Sequence, residues 1–312
     1  MPTSSPDWLR GYPQSLRDTL DAALRGTLAP PIVLTRLFLA LHDTARILSL
    51  LSEVVSDRRA AGDRDGARGI EAVHALALRD PTALDEMRRV LAILHGDSQS
   101  REATNPSAIA TAFDKAAELS PAASVALYSL GDPALLQSAT HELVALLRDR
   151  ELISRRTRVL EIGCGIGRFA QALASEVTSF IGIDVSCNMI RLAEERCVGL
   201  PNVTLSVTSG NDLRDYLGAS FDLVLAVDSF PYINAASSGL ADIHINESAR
   251  VLVPGGSLAI FNFSYEDDFD MSRDRLTRLA AAAGLDLAAA EPAPLRRWDG
   301  SFFYMRKQGR AA

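Results

Sequence analysis

The stretch from Val159 to Ala170, VLEIGCGIGRFA, constrains this chain more than any other. An apolar run carrying an acid is followed by three glycines at alternate positions, and then by a helical pattern. Strands covered on both faces read as nearly continuous apolar runs, and VLEI is one. Gly163 and Gly165 directly behind it leave no Cβ between the backbone and a ligand, and Gly167 lets the next helix approach closely. The segment therefore reads as a buried strand, a bare turn and a helix, the repeating unit of a parallel α/β sheet.

The rest of the C-terminal region keeps that rhythm. FIGID (180–184), VTLSV (203–207), FDLVLAVD (221–228) and SLAIFNF (257–263) are short β-rich runs separated by helical stretches. Such alternation predicts a doubly wound α/β domain. A helix over Arg273 to Ala283 is closed by Gly284, and LDLAA with SFFYMRK form an antiparallel pair at the sheet edge.

Residues 1–95 differ and read as all helix. Leu16, Leu20, Ala23 and Leu24 keep helical spacing, and Pro30-Pro31 opens one long amphipathic helix to about Ala60. Gly62 to Gly66 is a loop, followed by helices near 67–79 and 82–94, the latter begun by Pro81. The small, polar segment 96–107, ending in Asn-Pro-Ser, is the linker. From there a helical arm leads through HELVALLRDR to the first strand, so the second domain spans 108–312.

Composition narrows the function. The net charge is −7, the pI is near 5.3 and no Lys/Arg run forms a phosphate-binding stripe, so the expected partner is a small molecule, not nucleic acid. The most apolar helical stretch carries Arg36, His42, Asp43, Arg46 and Glu53, which argues against a membrane span. MPTSSPDWLR does not resemble a secretory leader. A cytoplasmic protein is expected. Cys164, Cys187 and Cys197 lack metal-ligand spacing and read as small buried thiols, and the five histidines form no HExxH pair, so no metal is expected.

Ligands of open α/β sheets bind beyond the carboxyl ends of the strands, which is where the glycine turn lies. Asp184, closing the next strand, is placed to hold two ribose hydroxyls, and Glu161 to accept from a cationic or donor-bearing group. A dinucleotide turn, G-x-G-x-x-G, would need glycine where Arg168 stands. The order found, Glu161-Ile-Gly163-Cys164-Gly165-Ile-Gly167, resembles the first motif of class I S-adenosylmethionine-dependent methyltransferases. The resemblance runs over about 108–312. IGIDVSCNMIRLAEERC is similar to that family's second strand and following helix, and RVLVPGGSLAIFNFSY to its Pro-Gly-Gly turn and fifth strand.

This resemblance implies a seven-stranded, doubly wound, Rossmann-like sheet behind an N-terminal all-helical domain, with S-adenosyl-L-methionine as cofactor. It implies that Glu161, Gly163, Cys164, Gly165 and Gly167 form the cofactor turn, with Asp184 at the ribose, Met189 near the adenine and Val185 also among the cofactor-binding residues. The family's acid after the third strand is replaced by VTSGNDL, leaving Ser209, Gly210, Asn211 or Asp212 for the adenine. After the fourth strand stands Asp228-Ser-Phe-Pro-Tyr232, which differs from the Asn/Asp-Pro-Pro-aromatic motif of amino-group methyltransferases. Asp228 and Tyr232 are candidates for orienting the acceptor or taking its proton, Asp228 also for the cofactor. Tyr128 is a candidate for the cofactor's methionine end. His244 reads as a surface histidine rather than a base.

The expected reaction is methyl transfer to a small-molecule O, N or C nucleophile. The rivals are a non-catalytic S-adenosylmethionine-binding protein whose helices recruit a partner, and a nicotinamide oxidoreductase, disfavoured by Arg168 and by Pro254-Gly255-Gly256. The helical unit is expected to carry no part of the cofactor site, serving as a homodimer surface or as a lid over the acceptor.

Overall fold

A computed structural model describes residues 11–80, 82–95, 105–237 and 239–309. The N-terminal unit consists of α1 (Gln14–Arg25), α2 (Pro30–Leu41), α3 (Thr44–Ala60), α4 (Arg64–Arg79) and α5 (Ala83–His95). The stretch expected as one helix to Ala60 is two. His42 adopts φ 54°, which ends α2, and the Asp43 carboxylate accepts from the amides of Ala45 and Arg46 to start α3. The loop expected through Gly66 is shorter, because Asp63 accepts from the Gly66 amide and opens α4 early. Leu20, Val33, Phe38, Leu51, Ile70 and Met87 meet in a core that buries one stripe of each helix.

Pro81 and most of the expected linker, 96–104, lie outside the described residues. The linker's last residues are already structured, since Asn105 caps α6 (Pro106–Leu119) by accepting from the Ala108 amide. The short α7 (Pro121–Val125) and α8 (Pro133–Asp149) complete the approach to the sheet.

The sheet follows in the order expected. It contains β1 (Arg158–Ile162), β2 (Ser179–Asp184), β3 (Val203–Val207), β4 (Phe221–Val227), β5 (Leu252–Phe261), β6 (Leu285–Glu291) and β7 (Phe302–Lys307), arranged 3-2-1-4-5-7-6. The first five strands are parallel, and β7 runs antiparallel between β5 and β6. Side chains alternate faces. Leu160, Val224 and Ile260 enter a core with Ile245 of α12 (Leu240–Val251) and Leu276 of α13 (Phe269–Ala282). Val159, Leu223 and Phe261 enter another with Leu143 of α8 and Phe169 of α9 (Arg168–Leu173). The helices α10 (Cys187–Arg196) and α11 (Phe230–Ala236) follow β2 and β4. Strand order reverses between β1 and β4, so their carboxyl ends open the crevice where such sheets bind ligands.

Candidate active site

The turn after β1 is organised by its own amides. Gly163 and Cys164 both donate to the Ile183 carbonyl, at 2.8 and 3.0 Å. Gly165 donates to Asp184 Oδ2 at 2.9 Å, and Ser186 to Asp184 Oδ1 at 2.9 Å. Gly167, at φ 73°, must be glycine for a packing reason. A Cβ there would stand 2.9 Å from Ala193 Cβ, so α10, not the helix immediately following, makes the close approach.

This turn opens onto a cavity of about 450 Å³, within the range of small-molecule sites. Of the residues singled out in the sequence, Gly163, Gly165, Asp184, Val185, Met189, Gly210, Asp228 and Tyr232 line it, as do Asp212, Tyr128 and His244. Glu161, Cys164 and Gly167 are absent from its wall. Glu161 and Cys164 are buried, while Ser209 and Asn211 are exposed and also off the wall, leaving Gly210 and Asp212 beside the cavity after β3. The helical unit, expected to carry no part of the cofactor site and to serve as a dimer surface or a lid over the acceptor, contributes Ile32, Thr35, Arg36, Leu39, Leu91 and Leu94 to the cavity wall.

Two further expectations need correction. His244 is not on the surface: it is 2% exposed, its Nδ1 lies 3.0 Å from the Leu240 carbonyl, and burial lowers its pKa. A proton on Nδ1 satisfies that carbonyl and leaves Nε2 as an acceptor. Cys187 is exposed at the start of α10, so only Cys164 and Cys197 are the buried thiols expected of all three.

The site's carboxylates are unusual for their burial. Glu161 is 1% exposed, its Oε2 has no hydrogen-bond partner among the described residues, and burial drives its pKa well up, with Arg168 opposing. Burial also raises the pKa of Asp184, against the pull of the Ser186, Gly165 and Val185 amides. Asp228 sits at φ 56°, where it accepts from Asn262 Nδ2 at 2.5 Å, Trp298 Nε1 at 3.3 Å and Tyr265 OH at 3.4 Å. Its pKa is raised by burial and held back by Arg168, Asn262 and Trp298.

Arg168 is the residue that sequence reasoning underused. It served there only to exclude a dinucleotide turn, yet its guanidinium is buried, donating to Tyr128 OH at 3.2 Å and lying 3.9 Å from Asp228. Burial in that cluster pushes the Tyr128 phenol up to about 12. Asp114 of α6 was also missed. It accepts from Ser186 Oγ at 2.5 Å and from the Asn188 amide at 3.0 Å, fastening α6 to the start of α10. Neither has a local signature, since each partner lies far along the chain.

Comparison with known proteins agrees with this geometry. Residues 159–256 match a family model described as a methyltransferase domain. Over 139 residues the chain is 34% identical to the demethylmenaquinone methyltransferase of Tropheryma whipplei, covering 43% of this chain and 55% of that protein. It is 32% identical over 99 residues to the cyclopropane-fatty-acyl-phospholipid synthase of Escherichia coli, covering 31% and 25% respectively. The chain thus spans 55% or less of the length of these two relatives. A solved structure of phosphoethanolamine N-methyltransferase 1 from Haemonchus contortus superposes with a TM-score of 0.52 at 17% identity, covering 64% of this chain and 48% of that one. At that identity the likeness is one of fold.

Proposed function

We propose, from the premise that the chain belongs to the class I S-adenosylmethionine-dependent methyltransferase family, that it transfers a methyl group to an oxygen, nitrogen or carbon nucleophile of a small molecule. The observation that carries this reading is the glycine turn at the β1/β4 switch point, tied to Asp184 and open to the cavity. S-adenosylmethionine supplies a methyl group already activated by its sulfonium charge, so alignment matters more than a protein nucleophile.

The residues present fit that cofactor. Glu161 has a buried oxygen in want of a donor, and because the acid stands off the cavity wall an α-ammonium group would satisfy it through a bridging water or after a small shift of the turn. Asp184 has about four lone pairs against the amides of Gly165, Ser186 and Val185, which leaves room to accept from a ribose hydroxyl. Val185, Met189, Gly210 and Asp212 offer the adenine one apolar and one polar border. Asp228, just past β4, and Tyr232, in the first turn of α11 and edge-on to Phe113 of α6, also line the cavity and would orient the acceptor. Burial raises the Tyr232 pKa, so its phenol is neutral and acts as a hydrogen-bonding group, not as a base.

Calorimetric titration with S-adenosylhomocysteine, S-adenosylmethionine and NAD tests the cofactor. Binding of both adenosyl-sulfur compounds without NAD is expected, and the reverse would overturn the reading. Incubation of isotopically labelled S-adenosylmethionine with small-molecule extracts then tests catalysis. Tight cofactor binding with no labelled product from any extract would favour a binding protein.

A further inference from the structure

The other end of the cavity restricts what the acceptor can be. Its wall there is formed by Ile32 and Leu39 of α2, Leu94 of α5, Phe113 of α6 and Tyr232 of α11. Tyr232 stands edge-on to Phe113, with ring centroids 4.8 Å apart. A charged acceptor buried against such a wall needs a charged partner. Each of the cavity's charged side chains already has a partner in the protein. Arg168 lies 3.9 Å from Asp228 and counters its charge, so Asp228 would meet an acceptor as a hydrogen-bonding group rather than as an unpaired ion. Asp184 accepts from the Gly165 and Ser186 amides, Asp212 from Arg214 at 2.7 Å, and Asp228 from Asn262 and Trp298. Arg36 pairs with Asp299 at 2.6 Å, joining the helical unit to the segment between β6 and β7. His244 is kept neutral by burial.

Two hydroxyls that line the cavity are buried without a partner among the described residues, Ser229 Oγ after β4 and Thr35 Oγ1 on α2, and Thr35 is the one the helical unit supplies. Thr35 lacks the bond to a carbonyl of the preceding turn that threonines within helices commonly make. Apolar sites hold ligands in register with a few such groups.

We propose that α2 and α5 form an acceptor chamber for a neutral, largely apolar molecule bearing a hydroxyl or carbonyl that pairs with Thr35. This assignment rests on the methyltransferase reading, because it makes the adjoining pocket the methyl donor's. The N-terminal helices are thereby part of the substrate site, and the acceptor is held by area rather than charge.

The test uses the full-length protein saturated with S-adenosylhomocysteine, so that probes report the remaining space. N-phenyl-1-naphthylamine, neutral and fluorescent in apolar surroundings, should bind at least about tenfold more tightly than its sulfonated analogue 1-anilinonaphthalene-8-sulfonate. Leu39→Asp and Leu94→Asp should each weaken the neutral dye about tenfold while S-adenosylhomocysteine affinity stays unchanged. Leu39 is 43% exposed, so its variant should fold even if that of Leu94 does not. In competition, 1-naphthol should displace the dye better than 1-methylnaphthalene, an advantage lost in Thr35→Val. Tighter binding of the sulfonate, or neutral-dye binding unaffected by Leu39→Asp, would overturn the chamber. Equal competition by the two naphthalenes would overturn the Thr35 contact. Failure of the wild type to bind S-adenosylhomocysteine is a separate result, and would count against the methyltransferase reading instead.

Discussion

Gly165 donates its backbone N–H to Asp184 Oδ2 at 2.9 Å, so the acid ending β2 holds the turn that follows β1. Asp184 therefore has two tasks, shaping the turn and accepting from the ribose. Asp184→Ala should cost on the order of 1–3 kcal/mol of S-adenosylhomocysteine affinity, as expected when buried donors lose their acceptor. Asp184→Asn keeps one acceptor oxygen and should lose less. Calorimetry on the folded variants checks this, and wild-type affinity in Asp184→Ala would remove the ribose assignment.

Glu161 predicts a pH dependence. Its pKa in the free protein is raised by burial, and a ligand ammonium placed against its unpartnered oxygen would lower it. Between the two values the complex carries fewer protons than the free protein. Affinity should then rise with pH across that interval, by at most about tenfold per unit, and binding should release a proton. Calorimetry of S-adenosylhomocysteine binding in buffers of different ionisation heat measures the release directly. Glu161→Gln should abolish it and flatten the profile; an unchanged release would place the titration elsewhere.

Gly165 faces α7. At φ 51°, any side chain would be strained, and a Cβ would lie 2.8 Å from Val125 Cγ1. Gly165→Ala should destabilise the protein by about 1–2 kcal/mol from backbone strain alone, with the contact adding to it. Val125→Ala in the same chain should recover the contact part and not the strain, which urea unfolding of the single and double variants would resolve. Full additivity of the two substitutions would mean that α7 does not press on the turn.

Much of this fold was legible because its signals are local. VLEI, LVLAV and the glycine turn each announce a strand or a turn within a dozen residues, and their order specifies the doubly wound sheet. What could not be read was mostly set by partners distant in sequence. His244 instead lies on the buried stripe of α12 with Leu240, Ala241, Ile245 and Ala249, a helical spacing that its polar side chain masked in the sequence. Arg168 looked like an ordinary helix-opening residue until Tyr128 and Asp228 closed around it. The break at His42 and Asp43 depends on one residue taking positive φ and the next taking an extended, capping conformation between two helical patterns that are otherwise continuous. The approach of α2 to the cavity brings Arg36 against Asp299, a pair with no spacing to recognise in the sequence.

The loop from Asp228 to Tyr232 decides whether the methyl acceptor meets the cofactor where proposed. Asp228 takes φ 56°, a conformation that asparagine also tolerates, so Asp228→Asn should keep the backbone while weakening a site now framed by Asn262, Trp298 and Tyr265. Pro231 at the first turn of α11 fixes the entry of that helix, and Tyr232 is wedged between Phe113 and Tyr265. Tyr232→Phe removes one hydroxyl and leaves these ring contacts intact. Transfer requires near-attack geometry, in which small displacements can cost about 100-fold. Asp228→Asn and Tyr232→Phe should each lower kcat by up to about that factor while S-adenosylhomocysteine affinity remains near wild type. Single-turnover transfer from labelled S-adenosylmethionine, measured beside calorimetry, separates the outcomes. A parallel loss of cofactor affinity would move the loop into the cofactor pocket. Undiminished turnover in both variants would leave Asp228 as a structural acceptor for its three donors and Tyr232 as a packing ring.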